Sequence, residues 1–201
     1  MCRSQAIKWT DMVVRLLNSD DAFLKQEVTR WYSAPDARRW MGDLFDVDQF
    51  VGRLGRPAED HSRREHVCAS LGWVRFDRAG CPVAFFGGDV KVERVWCTLD
   101  DGSTGWKEIG ARTLGFTYVV APDHRGRGHG YELVRAVLDH PALCDVHVLS
   151  CSIDRDNDAS LALIRKFSEF REDIDESDEK SLFFKFIRTS ETSGRTVEAL
   201  G

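Results

Sequence analysis

The chain has 201 residues, 42% of them hydrophobic and 30% charged, with a formal net charge of -5. That length and balance suit one globular domain with an ordinary core, and the acidic balance gives no overall reason to approach nucleic acid or an anionic membrane. No run reaches the roughly 18 apolar residues of a membrane span, and residues 12–17 are too few for a secretory signal, so a cytoplasmic protein with neither partner is the expectation.

The six cysteines (Cys2, Cys68, Cys81, Cys97, Cys144, Cys151) are scattered singly. They lack the paired spacing of a zinc site and the density of a disulfide scaffold, and read as reduced core thiols with no metal.

In chain order, residues 12–17 predict a strand, and Ser19-Asp20-Asp21 offers a cap for a helix over 22–32. Pro35 interrupts that helix, a second starts near Asp36 and passes Trp40, and another covers 47–54 before a basic loop over 55–64. Residues 67–76 and the run from Pro82 are strands joined by the turn Asp77-Arg78-Ala79-Gly80. Residues 91–98 and 106–111 predict a further antiparallel pair or an excursion, followed by a strand over 114–120. A helix over 131–138, a buried strand over 146–153, a helix over 158–167 and strands over 170–174 and 182–187 complete the pattern. The acidic stretch 175–180 reads as a solvated turn. One domain over 1–188 and a polar, loose tail over 189–201 are the expected organisation.

The strongest local signal is Val119-Val120-Ala121-Pro122-Asp123-His124-Arg125-Gly126-Arg127-Gly128-His129-Gly130-Tyr131, a strand turning through glycines into a helix. Glycines let the backbone approach a ligand and adopt positive φ, while the first helical N–H groups have no helical acceptor, so the place suits a pyrophosphate. A Walker-type loop needs a lysine and a hydroxyl that are missing here, and the dinucleotide fingerprint needs a different glycine spacing. The pattern Arg/Gln-x-x-Gly-x-Gly/Ala is met by Arg125, Gly128 and Gly130.

In that pattern the chain resembles the GCN5-related N-acetyltransferases. Asn157-Asp158-Ala159-Ser160 and the helix after it, running to Lys166-Phe167-Ser168-Glu169-Phe170, are similar to the family's Asn-x-x-Ser helix, with Ser168 in place of a glycine. Residues 14–17, Asp20 or Asp21, and the stretch from Trp31 to Trp40 resemble the branch with the aminoglycoside 6'-acetyltransferases and the ribosomal-protein N-terminal acetyltransferases. Residues 41–64 and 89–111 have no clear counterpart.

The resemblance implies an α+β fold: a mixed, mostly antiparallel sheet of six or seven strands with helices on both faces, in which only strands four and five are parallel, and splayed. It implies acetyl-coenzyme A as co-substrate. Val119, Val120 and Ala121 would form the open edge, and the N–H groups of Arg125, Gly126, Arg127, Gly128, His129 and Gly130 would hold the pyrophosphate. The arginines Arg125 and Arg127 would pair with phosphate, and His124 and His129 would touch solvent or phosphate. Asn157 and Ser160 would line the pantetheine and thiol side, Asn157 also serving as a helix cap. A neutral amine would attack the thioester directly, with a main-chain N–H near Val120 on the oxyanion.

The chain departs from the family at proton transfer. Gly115 stands where a glutamate base is common, and Ile164 where a tyrosine acid is common. Candidate catalytic side chains are Glu108, Tyr118 and Ser160, with Asp100, Asp101 and His147 as further choices. For the acceptor, a small-molecule or peptide amine, Trp31, Trp40 and Asp43 with Tyr32, Asp46 and Asp48 could wall a cationic group, or be core aromatics and a wetted face. Homodimerisation through the last strands stays open.

Overall fold

A computed structural model describes residues 13–42, 45–56 and 65–188. Its strands are β1 (Val13–Leu16), β2 (Glu65–Phe76), β3 (Pro82–Thr98), β4 (Thr104–Val120), β5 (Val148–Asp154), β6 (Arg171–Glu172) and β7 (Ser181–Ile187). Its helices are α1 (Ala22–Tyr32), α2 (Pro35–Met41), α3 (Val47–Arg53), α4 (His129–Leu138) and α5 (Asp158–Ile164). Asp43 and the tail over 189–201 lie outside the described residues.

Local chemistry sets several boundaries. Pro35 takes the first position of α2, where its missing N–H costs no helical bond. The Asp46 side chain accepts from Gln49 N–H at 2.9 Å and so caps α3. Asp21 does not cap α1; its carboxylate instead accepts from Asn18 N–H at 2.8 Å and pairs with Arg15 at 2.7 Å. The late helix stops at Ile164 rather than 167, the chain turning on through Phe167 N–H to Ile164 O at 3.1 Å. The penultimate strand is only two residues long, and past it Ser177 N–H donates to Asp173 O at 3.0 Å, closing a turn.

The strands form one sheet in the order β1-β2-β3-β4-β5-β7-β6, with only β4 and β5 parallel. The expected second hairpin is no separate unit. β3 and β4 each run unbroken for 17 residues, and their far halves carry the pairing to Trp96 and Trp106, whose rings meet edge to face at 5.5 Å. Gly87-Gly88 lies within β3, where a Cβ on Gly88 would collide with the Gly115 carbonyl across the ladder.

Strand alternation puts neighbouring residues on opposite faces. Phe85 packs with Leu24, Val28, Trp31 and Phe50 on the face of α1 and α3, and Phe86 with Leu133, Val137 and Ile164 on the face of α4 and α5. Both rings are fully buried, each contributing about 2 kcal/mol of transfer free energy. These two faces hold the ends of β4 and β5 in place.

Candidate active site

Parallel pairing between β4 and β5 lasts for three residue pairs, Thr113 with Val148, Leu114 with Leu149 and Gly115 with Ser150. Beyond them β4 follows β3 to Val120 and β5 follows β7 to Asp154, so the two strands part. The opening is a cleft of about 740 Å³, with Tyr118, Cys151 and Ser160 in its wall and Tyr32, Trp40 and Met41 across from them.

Backbone direction decides which groups the gap receives. Ala121 N–H donates to Val83 O at 2.9 Å, toward β3. Peptide groups alternate along a strand, so Val119 also faces β3, while the N–H groups of Tyr118 and Val120 face the gap. The expected edge of Val119, Val120 and Ala121 is therefore an edge of Tyr118 and Val120. Val119 is 7% exposed and packs under α1.

At the mouth, Gly126 and Gly128 take φ of +71° and +84°, the left-handed region that favours glycine. A Cβ on Gly130 would stand 2.7 Å from Leu163, so that glycine lets α4 lie against α5. The first helical bond from this loop runs from Glu132 N–H to Gly128 O at 3.1 Å. The N–H groups of His129, Gly130 and Tyr131 precede it and have no helical acceptor, which makes an anion-binding end.

The side chains of the loop are arranged less simply. Arg125 turns back, its Nε donating to Val120 O at 3.2 Å and its guanidinium pairing with Asp36 of α2. The Arg125 side chain thus ties the loop to α2. Arg127 is exposed. His129 accepts at Nδ1 from Arg75 of β2 at 2.9 Å, and its ring lies 5.8 Å from that of His124.

Deeper in, the Tyr118 hydroxyl donates to Ser160 O at 3.3 Å, and burial pushes the phenol well above the usual tyrosine value. Ser160 N–H donates to the Asn157 side chain at 3.1 Å, so Asn157 caps α5 while lining the cleft. Tyr32 donates to Thr117 Oγ1 at 3.2 Å and joins α1 to β4 at the same place. Cys151 is buried, which raises its thiol pKa strongly.

Other expected residues are not brought here. Glu108 pairs with Arg112 at 3.1 Å on the far half of β4, where it stands opposite Arg94 while Thr117 stands opposite Gly87, a separation of roughly 23 Å along β3 at roughly 3.3 Å per residue. Asp100 and Asp101 are at the tip of that hairpin, where Asp101 accepts from Ser103, and His147 N–H donates to Arg112 O at 2.9 Å. Trp31 is a core residue at 2% exposure, whereas Trp40 lines the cleft with the Arg39 guanidinium 4.5 Å over its ring. Sequence reasoning missed Asp36, Arg75 and Thr117, whose roles come from contacts 89, 54 and 85 residues away in the chain; no local pattern marks them.

A gap between two parallel strands, with free amides along one side and a helix start at its mouth, defines a site for an extended ligand with an anionic end. The pattern of the Acetyltransferase (GNAT) domain matches residues 11–167, and the chain belongs to that family. L-2,4-diaminobutyric acid acetyltransferase of Nocardia farcinica is 32% identical over 85 residues, 34% of this chain and 44% of its own, so the match spans under half of that relative. Among solved structures, AAC(6')-Ib in complex with paromomycin and acetyl-coenzyme A superposes with a TM-score of 0.56 at 15% identity, over 94% of this chain and 99% of that one. The protein yncA of Salmonella typhimurium, with its cofactor acetyl-coenzyme A, gives 0.54 at 16% identity over 90% and 96%. A spermidine N-acetyltransferase chimera from Vibrio cholerae and hSSAT gives 0.52 at 13% over 89% and 96%. At such identities the likeness is one of fold. No helix among the described residues is long and apolar enough to cross a membrane.

Proposed function

We propose that the protein transfers an acetyl group from acetyl-coenzyme A to a primary amine of a small molecule. The observation that carries this reading is the opening of β4 from β5 after Gly115 and Ser150, beside the amides of His129, Gly130 and Tyr131. Those amides hold the pyrophosphate, and the gap-facing N–H groups of Tyr118 and Val120 hold the pantetheine arm and the thioester oxygen. When bound, the cofactor supplies the thioester. Tyr118 is the proton donor on the leaving-sulfur side, since its hydroxyl lies within the cleft against Ser160.

The charge around the cleft favours an acceptor with its own carboxylate over a bare polycation. The lining carboxylates Asp36 and Asp154 are engaged, Asp36 by Arg125 and Asp154 by Asp156 N–H at 2.9 Å. Arg39 and Lys180 also line it and make no ion pair among the described residues. Of the acceptors named for its relatives, a diamino acid suits these cations better than spermidine or an aminoglycoside.

Thiol release from acetyl-coenzyme A tests both levels, using 2,4-diaminobutyrate, 1,3-diaminopropane, spermidine, an aminoglycoside and a basic peptide. Turnover with any acceptor supports the enzyme, and a preference for the diamino acid over the diamine supports the carboxylate. Saturable coenzyme A binding with no thiol released by any amine would leave a coenzyme A-binding module without catalysis.

A further inference from the structure

We propose that Arg75 is a positioning residue for the phosphate end of the cleft: it holds His129 in one tautomer and thereby makes that ring a phosphate donor beside the α4 amides. The inference rests on the coenzyme A reading above. It concerns a residue two strands away from the glycine loop, paired in the sheet with Val14 on one side and Ala84 on the other.

Arg75 is 3% exposed. From β2 its side chain crosses to the start of α4, where one guanidinium nitrogen stands 2.9 Å from His129 Nδ1 and another 2.5 Å from the Glu132 carboxylate. A guanidinium has donors only and keeps its proton at every accessible pH. The Nδ1 atom must therefore accept, and the proton of the neutral ring sits on Nε2. Glu132 lies one turn along α4 from His129, on the same side of the helix, and holds Arg75 from its other edge. Two residues thus fix one ring.

The consequence falls on the cleft. With Nδ1 turned inward on Arg75, Nε2–H on the other edge of the ring is the polar group left for the cleft that His129 lines. Burial first, and then the Arg75 charge, lowers the His129 pKa, with Glu132 opposing and His124 and Arg127 adding to the fall. A phosphate arriving at the mouth therefore meets a neutral, oriented N–H donor. That donor adds to the helix-start amides at their own end of α4, where a negative charge is already favoured.

The test separates this from a merely structural role for Arg75. Nitrogen NMR of the imidazole reports which ring nitrogen carries the proton in the ligand-free protein, and affinities are measured for coenzyme A and for S-acetylpantetheine, which has no phosphate. The expected result is a single Nε2–H tautomer in the wild type and a mixture in Arg75→Leu. His129→Gln, whose amide N–H reaches the Nε2 position, keeps coenzyme A affinity within about threefold, while His129→Asn and Arg75→Leu lose about tenfold or more, the scale of one hydrogen bond to a charged group. S-acetylpantetheine binding stays unchanged in all three. An Nδ1–H or mixed tautomer in the wild type, or equal losses for both ligands, overturns the proposal. The His129 pair keeps it decidable should Arg75→Leu fail to fold. A wild type that binds none of these ligands overturns the coenzyme A reading instead.

Discussion

Tyr118 is where two demands on this site meet. Its N–H belongs to the open edge of β4, and its hydroxyl is within the cleft on the carbonyl of Ser160. Because burial raises the phenol pKa, the side chain stays protonated through the neutral and alkaline range and is still a donor when the acceptor amine has lost its own proton. Tyr118→Phe keeps the ring and removes the donor. Steady-state kinetics should show kcat lowered about 10- to 100-fold with KM for acetyl-coenzyme A little changed; an unchanged kcat would remove Tyr118 from the chemistry. Cys151, in the same wall, takes the opposite part. Burial raises its thiol pKa, so little thiolate exists at neutral pH and the side chain behaves as a packing group. Timed alkylation read by mass spectrometry should label the exposed Cys81 and Cys144 well before Cys151, and early loss at Cys151 would show a far more open cleft.

At the scale of elements, the site is assembled from α2, β4, the glycine loop and α5, and the Arg125–Asp36 pair is what ties α2 to the loop. Both partners are partly exposed, so the pair adds no more than about 1 kcal/mol to stability. Its effect belongs to geometry: α2 also carries Trp40, and Met41 accepts from Thr117 at 3.6 Å. Asp36→Asn should leave the melting temperature nearly unchanged while raising KM for the amine several-fold and speeding hydrogen exchange in α2; equal exchange in both proteins would mean that α2 is held by its packing alone. The glycine loop, the Asn157 cap and most strands were legible because each depends on neighbours in sequence. Trp31, offered for the substrate wall, belongs to the core, and the signal was local: Leu24, Val28 and Trp31 repeat at helical spacing on one face of α1. Glu108 was misplaced for a different reason. Whether residues 91–111 form a separate unit or continue β3 and β4 depends on ladder register across the sheet. Asp36 and Arg75 were invisible because their partners lie far off in the chain and no spacing rule connects them.

For the whole molecule, the two layers on the sheet half-bury two imidazoles beside their apolar groups, and this fixes how acid should act on it. His129 is held against Arg75, and His140 is packed edge to face on Trp73 at 5.5 Å with its Nδ1 accepting from Ala142 N–H at 3.1 Å. Each ring thus uses a lone pair that protonation would destroy. Burial lowers both pKa values below the ordinary histidine value of 6.5. Below that value the unfolded chain binds protons that the folded one refuses, so stability rises with pH through this window and is lost on acidification. Denaturant midpoints measured from pH 7 to pH 5 should therefore fall steadily, in a range where most carboxylates are still ionised on both sides of the equilibrium. His140→Asn offers the Ala142 N–H a non-titrating acceptor at the Nδ1 position, and His129→Gln removes the other titration. The double variant should show a flatter profile over the same range, whatever its stability at pH 7. A slope as steep as the wild type's would move the acid sensitivity to other groups, and the two half-buried imidazoles would then be protonating in the fold without cost.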